Sequence, residues 1–318
     1  MRAVVTGGAG FIGSTLVDRL VAAGHTVHVI DNLSSGSNAN LADAVVAAAD
    51  RLVVHELDIR DARCTEVIAQ LAPEVVFHLA AQIDVRVSVQ QPVLDAEINV
   101  LGSLRVLEGA RFGGARKVVF ASSGGTIYGE PDASVLPVDE SHPQRPLSPY
   151  GVAKKVVSDY LFAYRALHGL DFTSLALANV YGPRQDPHGE AGVVAIFCGR
   201  LLDRQQCTIF GDGEQTRDFV YVGDVADAFV RAAASGPGSG LVLNIGTGVE
   251  TSVNELYDAI ADAAGIDAPA HHGDARAGEL QRSALSAAVA AHELGWAPST
   301  DLLTGTVATL EWFRVNRR

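Results

Sequence analysis

The feature that most constrains the fold is a set of three glycines near the start of the chain. Gly7, Gly10 and Gly13 stand between an apolar run at residues 3–5 and an amphipathic stretch at residues 11–23. The first glycine permits a tight turn, the second lets the backbone approach a pyrophosphate, and the third allows a helix to pack closely on a strand. The spacing therefore predicts a strand, a phosphate-binding turn and a helix.

An acidic residue supports a dinucleotide as the ligand of this turn. Asp31 follows Gly13 by eighteen residues and closes a second apolar run at residues 27–30. A carboxylate at this place accepts the adenosine ribose hydroxyls and repels a 2′-phosphate, which favours NAD over NADP. Asp58, just after the third apolar run, is placed either to meet the adenine amino group or to cap the helix that follows it.

Apolar runs alternate with stretches of helical spacing in the first half of the chain. We predict strands at residues 3–5, 27–30, 52–57, 75–79 and 117–121, and helices at 11–23, 61–71 and 93–110. Continuous apolar strands separated by helices indicate a parallel sheet that is covered on both faces. The fold class is therefore α/β, a doubly wound Rossmann-type sheet.

The pattern loosens after a further strand at residues 172–178, where turns rich in Gly and Pro become frequent. We expect residues 1–178 to form an NAD-binding domain that also receives later segments, at about residues 220–250. Residues 179–318 then form a smaller C-terminal α/β lobe that binds the substrate.

Charge and apolar patterning exclude several functions. The chain has 24 Lys and Arg against 37 Asp and Glu, a net charge of −13, without any basic run, which argues against nucleic acid. Charges interrupt the apolar stretches, so we expect no membrane span. The first residues already have a strand pattern, and the three cysteines form no Cys-x-x-Cys pair, so we expect a cytoplasmic protein. His188, His271 and His272 lack carboxylate partners, so we predict no metal site.

A second pattern carries catalytic chemistry. Tyr150 and Lys154 follow Pro149 at an apparent helix start, and their spacing places them on one helix face, one turn apart. An ammonium group beside the phenol, together with a positive nicotinamide, would lower the tyrosine pKa and make the side chain a usable base. Ser122 and Ser123 end the fifth strand and belong to the same predicted site.

These motifs together resemble the extended short-chain dehydrogenase/reductase family. The resemblance rests on Thr6 with the three glycines, His78-Leu79-Ala80-Ala81, Asn99, Ser122-Ser123, Tyr150 with Lys154, and Asn179-Val180-Tyr181-Gly182-Pro183-Arg184. Residues 211–222 (GDGEQTRDFVYV) and 276–279 (RAGE) are similar to the UDP-glucose 4-epimerase branch. The similarity extends from about Arg2 to about Trp296.

The resemblance implies a set of site residues. Those implied for the cofactor are Gly7, Gly10, Phe11, Ile12, Gly13, Asp31, Asn32, Ser35, Gly36, Asp58, Ile59, Leu79, Ala80, Ala81, Asn99, Ser122, Tyr150, Lys154 and Tyr181. Those implied for a UDP-sugar are Gln82, Ser123, Gly124, Gly125, Thr126, Tyr150, Asn179, Gly192, Val193, Thr208, Phe210, Arg217, Arg276 and Glu279. The two arginines would hold the diphosphate, because guanidinium groups match phosphate oxygens.

The implied reaction is 4-epimerisation of a UDP-hexose. Tyr150 takes the proton of the C4 hydroxyl, hydride passes to NAD, and the 4-keto sugar turns before it is reduced on its other face. Lys154 holds the nicotinamide ribose and stabilises the phenolate. The resemblance also implies a homodimer, in which the apolar face of residues 85–106 pairs with the same surface of a second subunit. Packing of this face within the core of one chain is the alternative. We expect the segment to be one helix or two around Pro92.

One departure from the family concerns the hydroxyl beside the tyrosine. The family often has a third Ser or Thr after Ser122 and Ser123, where this chain has Gly124, so Thr126, Ser123 or a water could replace it. The acidic residues of dehydratases and decarboxylases are missing before Tyr128, which argues against a dehydratase or another oxidoreductase.

Three alternatives stay open. Small Ser283 would leave room for an N-acetyl group, so UDP-N-acetylhexosamines are candidate substrates beside UDP-glucose and UDP-galactose. The turn at residues 124–126 could serve the carboxylate of UDP-glucuronic acid. A binding module that lost its chemistry is the alternative outside catalysis, and the presence of both Tyr150 and Lys154 argues against it.

Overall fold

A seven-stranded parallel sheet forms the centre of the computed structural model, which describes residues 1–187, 192–234, 236, 238–275 and 280–316. The strands are β1 (Arg2–Thr6), β2 (Thr26–Asp31), β3 (Leu52–Glu56), β4 (Val75–His78), β5 (Lys117–Ser123), β6 (Asp171–Leu177), β7 (Asn179–Tyr181), β8 (Thr208–Phe210), β9 (Thr216–Arg217), β10 (Phe219–Tyr221), β11 (Leu241–Ile245), β12 (Thr251–Ser252) and β13 (His271–Gly273).

The helices lie mostly between consecutive strands. They are α1 (Phe11–Ala22), α2 (Ala42–Ala48), α3 (Arg63–Leu71), α4 (Val85–Gln90), α5 (Pro92–Ala96), α6 (Ser103–Phe112), α7 (Gly124–Ile127), α8 (Pro149–His168), α9 (Val193–Leu202), α10 (Val222–Ala232), α11 (Val253–Ala264), α12 (Ala288–Leu294) and α13 (Leu302–Asn316).

The strand order places a ligand cleft in a definite position. The order is β11-β6-β5-β4-β1-β2-β3, and every neighbouring pair is parallel. The order reverses between β1 and β4, and ligands of such sheets bind beyond the carboxyl ends of the strands at that reversal. The predicted doubly wound α/β fold is confirmed.

Two apolar layers cover the sheet. On one face, Leu16 and Leu20 of α1 pack with Phe229 of α10. On the other face, Ile68 of α3 packs with Leu161 of α8. All five side chains are fully buried, which explains why the strands between them consist of continuous apolar residues.

The helix predicted at residues 93–110 is divided. α5 begins at Pro92, a π-helical turn follows at Glu97–Gly102, and α6 continues from Ser103. Of the two forms expected for residues 85–106, the structure has the one with a break at Pro92, since α4 ends just before it. The π turn carries buried Asn99 inward beneath the cleft.

Later segments return to the N-terminal domain, as expected for residues near 220–250. β11 joins the sheet beside β6, and α10 packs on α1. The structure adds α12 and Trp296 to the same core, although they lie far inside the region assigned to the substrate lobe. The indole of Trp296 donates a 2.9 Å hydrogen bond to the carbonyl of Asp224 at the start of α10, which anchors this return.

The C-terminal lobe has its own core of α9, α11 and α13, built around Phe197, Leu256 and Leu310. Its short strands pair as β8 with β13 and β9 with β12. Among the described residues, none of the helices combines the length and the apolar character that a bilayer crossing would require.

Candidate active site

A cavity of about 510 Å³ opens at the carboxyl ends of β1, β2, β4 and β5, where the strand order reverses. Most of the residues predicted for the cofactor line it: Gly7, Gly10, Phe11, Ile12, Gly13, Asp31, Asn32, Ser35, Gly36, Asp58, Ile59, Leu79, Ala80, Ala81, Ser122, Tyr150 and Lys154. Gln82, predicted for the substrate, lines it as well. The fold therefore brings these residues together.

The glycine-rich turn has no space for larger side chains. A Cβ atom on Gly13 would lie 2.1 Å from the carbonyl oxygen of Gly7, and one on Gly7, whose φ is +71°, would lie 2.6 Å from the nitrogen of Ala80. α1 begins at Phe11, so its free amide groups face the cavity, as a phosphate requires. Ser122 Oγ is buried without a hydrogen-bond partner among the described residues. The cavity thus fits an extended dinucleotide.

Asp31 links the end of β2 to the glycine-rich turn. Its carboxylate accepts 2.9 Å hydrogen bonds from the amide groups of Ala9 and Leu33, and its side chain is buried at the cavity wall. A carboxylate oxygen can accept more than one hydrogen bond, so a ribose hydroxyl can still bind. The position agrees with the predicted role at the adenosine ribose.

Asp58 is held by protein groups at the adenine end of the cavity. Arg60 pairs with both carboxylate oxygens at 3.1 and 2.7 Å, and the Asn32 amide donates a 2.9 Å bond. These hydrogen bonds, those of Arg60 above all, hold the pKa of Asp58 well below its usual range. Asp58 lies five residues before α3, so it does not cap that helix. Its contact with the adenine amino group stays a prediction.

Two predicted cofactor residues lie elsewhere. Tyr181 is fully buried in the C-terminal core, where its ring packs edge-to-face with Phe219 and Tyr221, so it does not line this cavity. Its strand β7 pairs with β10 outside the main sheet. Asn99 lies behind the cavity wall, where it binds the backbone of Gln82.

Tyr150 and Lys154 occupy the end of the cavity near β5. α8 begins at Pro149, and Ser148 caps it by accepting a hydrogen bond from the Gly151 amide. One turn along, the buried Lys154 ammonium donates a 2.9 Å bond to the Ala121 carbonyl and lies 5.6 Å from the centroid of the Tyr150 ring. The predicted arrangement on one helix face is present.

Burial dominates the ionisation of this pair. It raises the pKa of Tyr150 to about 12 and lowers the pKa of Lys154 to about 8, while the Asp95 carboxylate opposes the change at Lys154. Desolvation of the phenolate outweighs the effect of the neighbouring protein groups. The predicted lowering of the tyrosine pKa invoked the positive nicotinamide as well as Lys154 and stays a prediction. Activation of the phenol requires further positive charge in the cavity.

The hydroxyl beside the tyrosine is that of Ser123, which hydrogen-bonds the phenol. Thr126 instead donates to the carbonyl of Ser123 at 3.3 Å, within α7. A side chain at Gly124 would be crowded, because its Cβ would lie 2.3 Å from Leu285 Cδ1 and 3.0 Å from the carbonyl oxygen of Ala176. The structure thus explains the glycine that replaces the third Ser or Thr.

The residues predicted for the substrate come from several elements. Asn179 begins β7, and its Oδ1 lies 3.7 Å from the position of a Cβ on Gly125, so the two residues adjoin. Gly192 precedes α9 and Val193 begins it. The remaining described positions are Thr208 and Phe210 on β8 and Arg217 on β9. Arg276 and Glu279 lie outside the described residues.

Some residues of the site were missed by sequence reasoning. Arg184, Gln185 and Leu177 line the cavity. Arg184 has a φ of +71° and pairs with Asp18 of α1 at 2.6 Å. The available signal was the Gly-Pro turn that precedes Arg184, but a distant ion pair within an acidic chain leaves no local pattern.

Asp218, a further residue that sequence reasoning missed, organises the substrate side. The buried carboxylate of Asp218, next to Arg217, accepts hydrogen bonds from Thr247, Gly248 and the Leu285 amide. These contacts connect β9 and β10 with the loop after β11 and with the segment that covers Gly124. Burial raises the pKa of Asp218, whereas these hydrogen bonds oppose that rise.

Comparison with known proteins agrees with this geometry. The model of the NAD-dependent epimerase/dehydratase family matches residues 3–246. A UDP-glucose 4-epimerase of Mycolicibacterium smegmatis is 53% identical over 316 residues, which are 99% of each chain.

Solved structures give the same result. The UDP-glucose 4-epimerase of Thermotoga maritima, crystallised with UDP-glucose, has a TM-score of 0.94 and 44% identity, with 100% of both chains covered. The UDP-glucose 4-epimerase of Thermus thermophilus in complex with NAD has a TM-score of 0.90 and 42% identity, and covers 99% of this chain and 100% of its own.

Proposed function

Because the chain belongs to the NAD-dependent epimerase/dehydratase family, we propose that it catalyses the 4-epimerisation of a UDP-hexose, with UDP-glucose and UDP-galactose as the substrate pair. The predicted family and NAD as cofactor are confirmed. The observation that carries the reaction is the phenol of Tyr150, hydrogen-bonded to Ser123 and one helical turn from buried Lys154 in the cofactor cavity.

The protein holds the cofactor through backbone and one carboxylate. The turn from Gly7 to Gly13 receives the pyrophosphate, and Asp31 receives the adenosine ribose. Bound NAD would supply the acceptor and later the donor of the C4 hydride, so that the reaction has no net redox change. Ser122, whose hydroxyl has no partner among the described residues, is available to this cofactor.

Tyr150 moves the proton. Its phenolate takes the proton from the C4 hydroxyl and later returns it to the same oxygen, so one group serves as base and then as acid. The buried ammonium of Lys154 provides one of the positive charges that a buried phenolate needs, and the positive nicotinamide provides another. The hydroxyl of Ser123 orients the phenol.

Substrate turnover requires firm phosphate contacts and few sugar contacts. Arg217 and Arg276 hold the diphosphate, as guanidinium groups suit phosphate oxygens. Gly125 presents no side chain next to Asn179, and the nearest atom to its Cβ position is 3.7 Å away, which leaves space for the sugar ring to turn. Glu279 binds the uridine ribose in this scheme.

We also propose a homodimer. A cavity of about 500 Å³ lies between α5 and the start of α8, and apolar residues surround it. Leu147 and Val152 line it and are 71% and 46% exposed, and Val93, which follows the lining residue Pro92 in the chain, is 70% exposed. Apolar patches of this kind mark interfaces, and two-fold pairing is the commonest way to cover one. Val93→Asp with Leu147→Asp should yield monomers by light scattering, and a monomeric parent protein would contradict the proposal.

We also propose that the protein is located in the cytoplasm. Its support is chemical: Cys64, Cys198 and Cys207 are buried and unpaired, as is usual in reducing compartments.

The activity is tested by NMR of anomeric protons. The purified protein is incubated separately with UDP-glucose, UDP-N-acetylglucosamine and UDP-glucuronic acid. We expect the 4-epimer of UDP-glucose to form without net consumption of NAD, and the other two sugars measure the breadth of the site. No conversion of UDP-glucose would refute the proposed substrate pair.

The catalytic role is tested by substitution of the tyrosine. Tyr150→Phe should bind UDP-glucose but lose activity by about 100- to 10,000-fold, the range typical of a general acid–base group. Tyr160→Phe, on an exposed face of the same helix, is the matched control and should keep full activity. Near-normal turnover by Tyr150→Phe would remove the role proposed for Tyr150.

A further inference from the structure

A buried carboxylate that has no part in the mechanism so far lies behind the cofactor cavity. Asp95 is the penultimate residue of the helix α5 and is 1% exposed. One of its oxygens, Oδ1, accepts two hydrogen bonds, from the side-chain amides of Asn99 at 2.9 Å and of Gln82 at 3.0 Å. A buried carboxylate is costly unless it is paired, so such a residue requires an explanation.

The first consequence of these bonds concerns the cavity wall. The Asn99 amide binds the backbone of Gln82 twice, accepting from its N–H and donating to its carbonyl, each at 2.9 Å. Because Asp95 accepts from the nitrogen of the Asn99 amide, it fixes which end of that amide faces each Gln82 group. Gln82 lines the cavity next to Ala81, so Asp95 positions the wall from behind.

The second consequence is electrostatic. The helix α5 packs against α8, which carries Lys154, and Asp95 lines one cavity together with Ala153, the neighbour of Lys154 in the chain. The Asp95 carboxylate raises the pKa of buried Lys154 against the larger effect of burial. The π-helical turn at Glu97–Gly102 brings Asn99 onto the face of Asp95, and such turns are frequent at functional sites. The carboxylate and the two amides therefore form one hydrogen-bonded unit beside the helix that carries the ammonium group.

We propose that Asp95 is a positioning residue for the epimerase reaction: its buried carboxylate orients the Asn99 and Gln82 amides and supplies the negative charge that faces Lys154. The assignment rests on the proposed function. The same charge also faces Tyr150, whose phenolate it disfavours. Asp95 thus keeps the ammonium protonated and sets the pH at which the tyrosine and the lysine titrate as a pair.

The titratable groups around the pair are few among the described residues. Asp95 faces it from α5, and His78 faces Lys154 from β4. Burial lowers the pKa of His78 to about 3, so this imidazole stays neutral in the working range. Asp95 is therefore the charge whose removal changes the titration of Tyr150 and Lys154.

The test is the pH profile of kcat for Asp95→Asn. Loss of the negative charge lowers the pKa of the phenol and that of the ammonium. The acidic and the basic limb of the pH profile of kcat should therefore both move to lower pH by about one unit. Glu97→Gln removes the same charge from an exposed position two residues away and should leave both limbs unchanged. Asp95→Ser, a smaller neutral residue, should shift the limbs like Asp95→Asn and provides a second variant.

The assignment is overturned if a folded, active Asp95 variant has the same pH profile of kcat as the parent enzyme. It is also overturned if the profile of Glu97→Gln shifts as much as that of Asp95→Asn. A uniform loss of kcat at every pH without a shift would show a merely structural role and would also overturn it. The parent enzyme is assayed in parallel: if it does not epimerise UDP-glucose, the proposed function fails, whereas an active parent with an unshifted variant refutes only the role of Asp95.

Discussion

Gly124→Ser restores the third hydroxyl residue of the family, and we expect it to destabilise this protein. The Cβ would lie 2.3 Å from Leu285 Cδ1, and Leu285 is 1% exposed, so this side chain has little freedom to move. Overpacking of a buried site costs about 1–3 kcal/mol, whereas replacing a helical glycine gains about 0.5–1 kcal/mol. The crowding term is the larger of the two, so the net change should be a loss of up to about 2.5 kcal/mol.

The cause of this loss can be isolated by a double-mutant cycle. Leu285→Ala alone should cost about 2–5 kcal/mol, but in the presence of Gly124→Ser the new side chain occupies part of the cavity. We therefore expect the double variant to be about 1–2 kcal/mol more stable than the sum of the single changes predicts. Gly125→Ser is the matched control, because the nearest atom to its Cβ position lies 3.7 Å away.

The assay is urea unfolding followed by tryptophan fluorescence at a fixed, saturating concentration of NAD, since a bound ligand adds to the apparent stability. Trp296 is buried in the core and reports its unfolding. Gly124→Ser as stable as the parent, or a cycle that is additive within about 0.5 kcal/mol, would refute the steric argument.

Three further outcomes follow from the cavity and its surroundings. Gly13→Ala should weaken NAD binding at least tenfold in fluorescence titrations, because its Cβ would meet the Gly7 carbonyl at 2.1 Å, whereas Gly199→Ala, with its nearest contact at 3.7 Å, should bind normally. Asp31→Ser should raise the affinity for NADP relative to NAD, and an unchanged ratio would contradict the assigned ribose contact. Burial lowers the pKa of His78 from 6.5 to about 3, so the unfolded state binds its proton first and stability falls as the pH drops below 6.5. Between about pH 7.5 and 5.5 this residue should account for a loss of about 1.3 kcal/mol, measured as the difference in urea unfolding between the parent and His78→Asn, and parallel pH profiles would contradict it.

Much of the cofactor site could be predicted from local patterns in the sequence. The glycine spacing and Asp31 sit at fixed distances along the chain from the strands they follow, so a short segment contains both the structure and the ligand contact. Tyr150 and Lys154 are likewise related by one helical turn. Such features depend on residues that are close together in the chain. In the structure the glycines, Asp31, Tyr150 and Lys154 line one cavity, and the last two lie on one helix, as predicted.

Residues that act through distant contacts were not accessible in this way. Arg184 binds Asp18 across 166 positions, and Asp218 binds the Leu285 amide across 67. Tyr181 does not line the cavity, because its three-residue strand pairs with β10 outside the main sheet, and no local pattern reveals that pairing. These positions depend on how separate elements pack.

The sequence by itself determined the α/β fold, the NAD site and the tyrosine–lysine pair, because periodicity and short spacing are properties of the chain alone. The tertiary structure decided which hydroxyl meets Tyr150, why a glycine stands at position 124, and that Asp95 lies behind the cavity. Those outcomes depend on contacts between separate parts of the chain: Leu285 packs against Gly124, and the amides of Asn99 and Gln82 bind Asp95. Their energies come from burial and close approach, which exist only once the chain has packed.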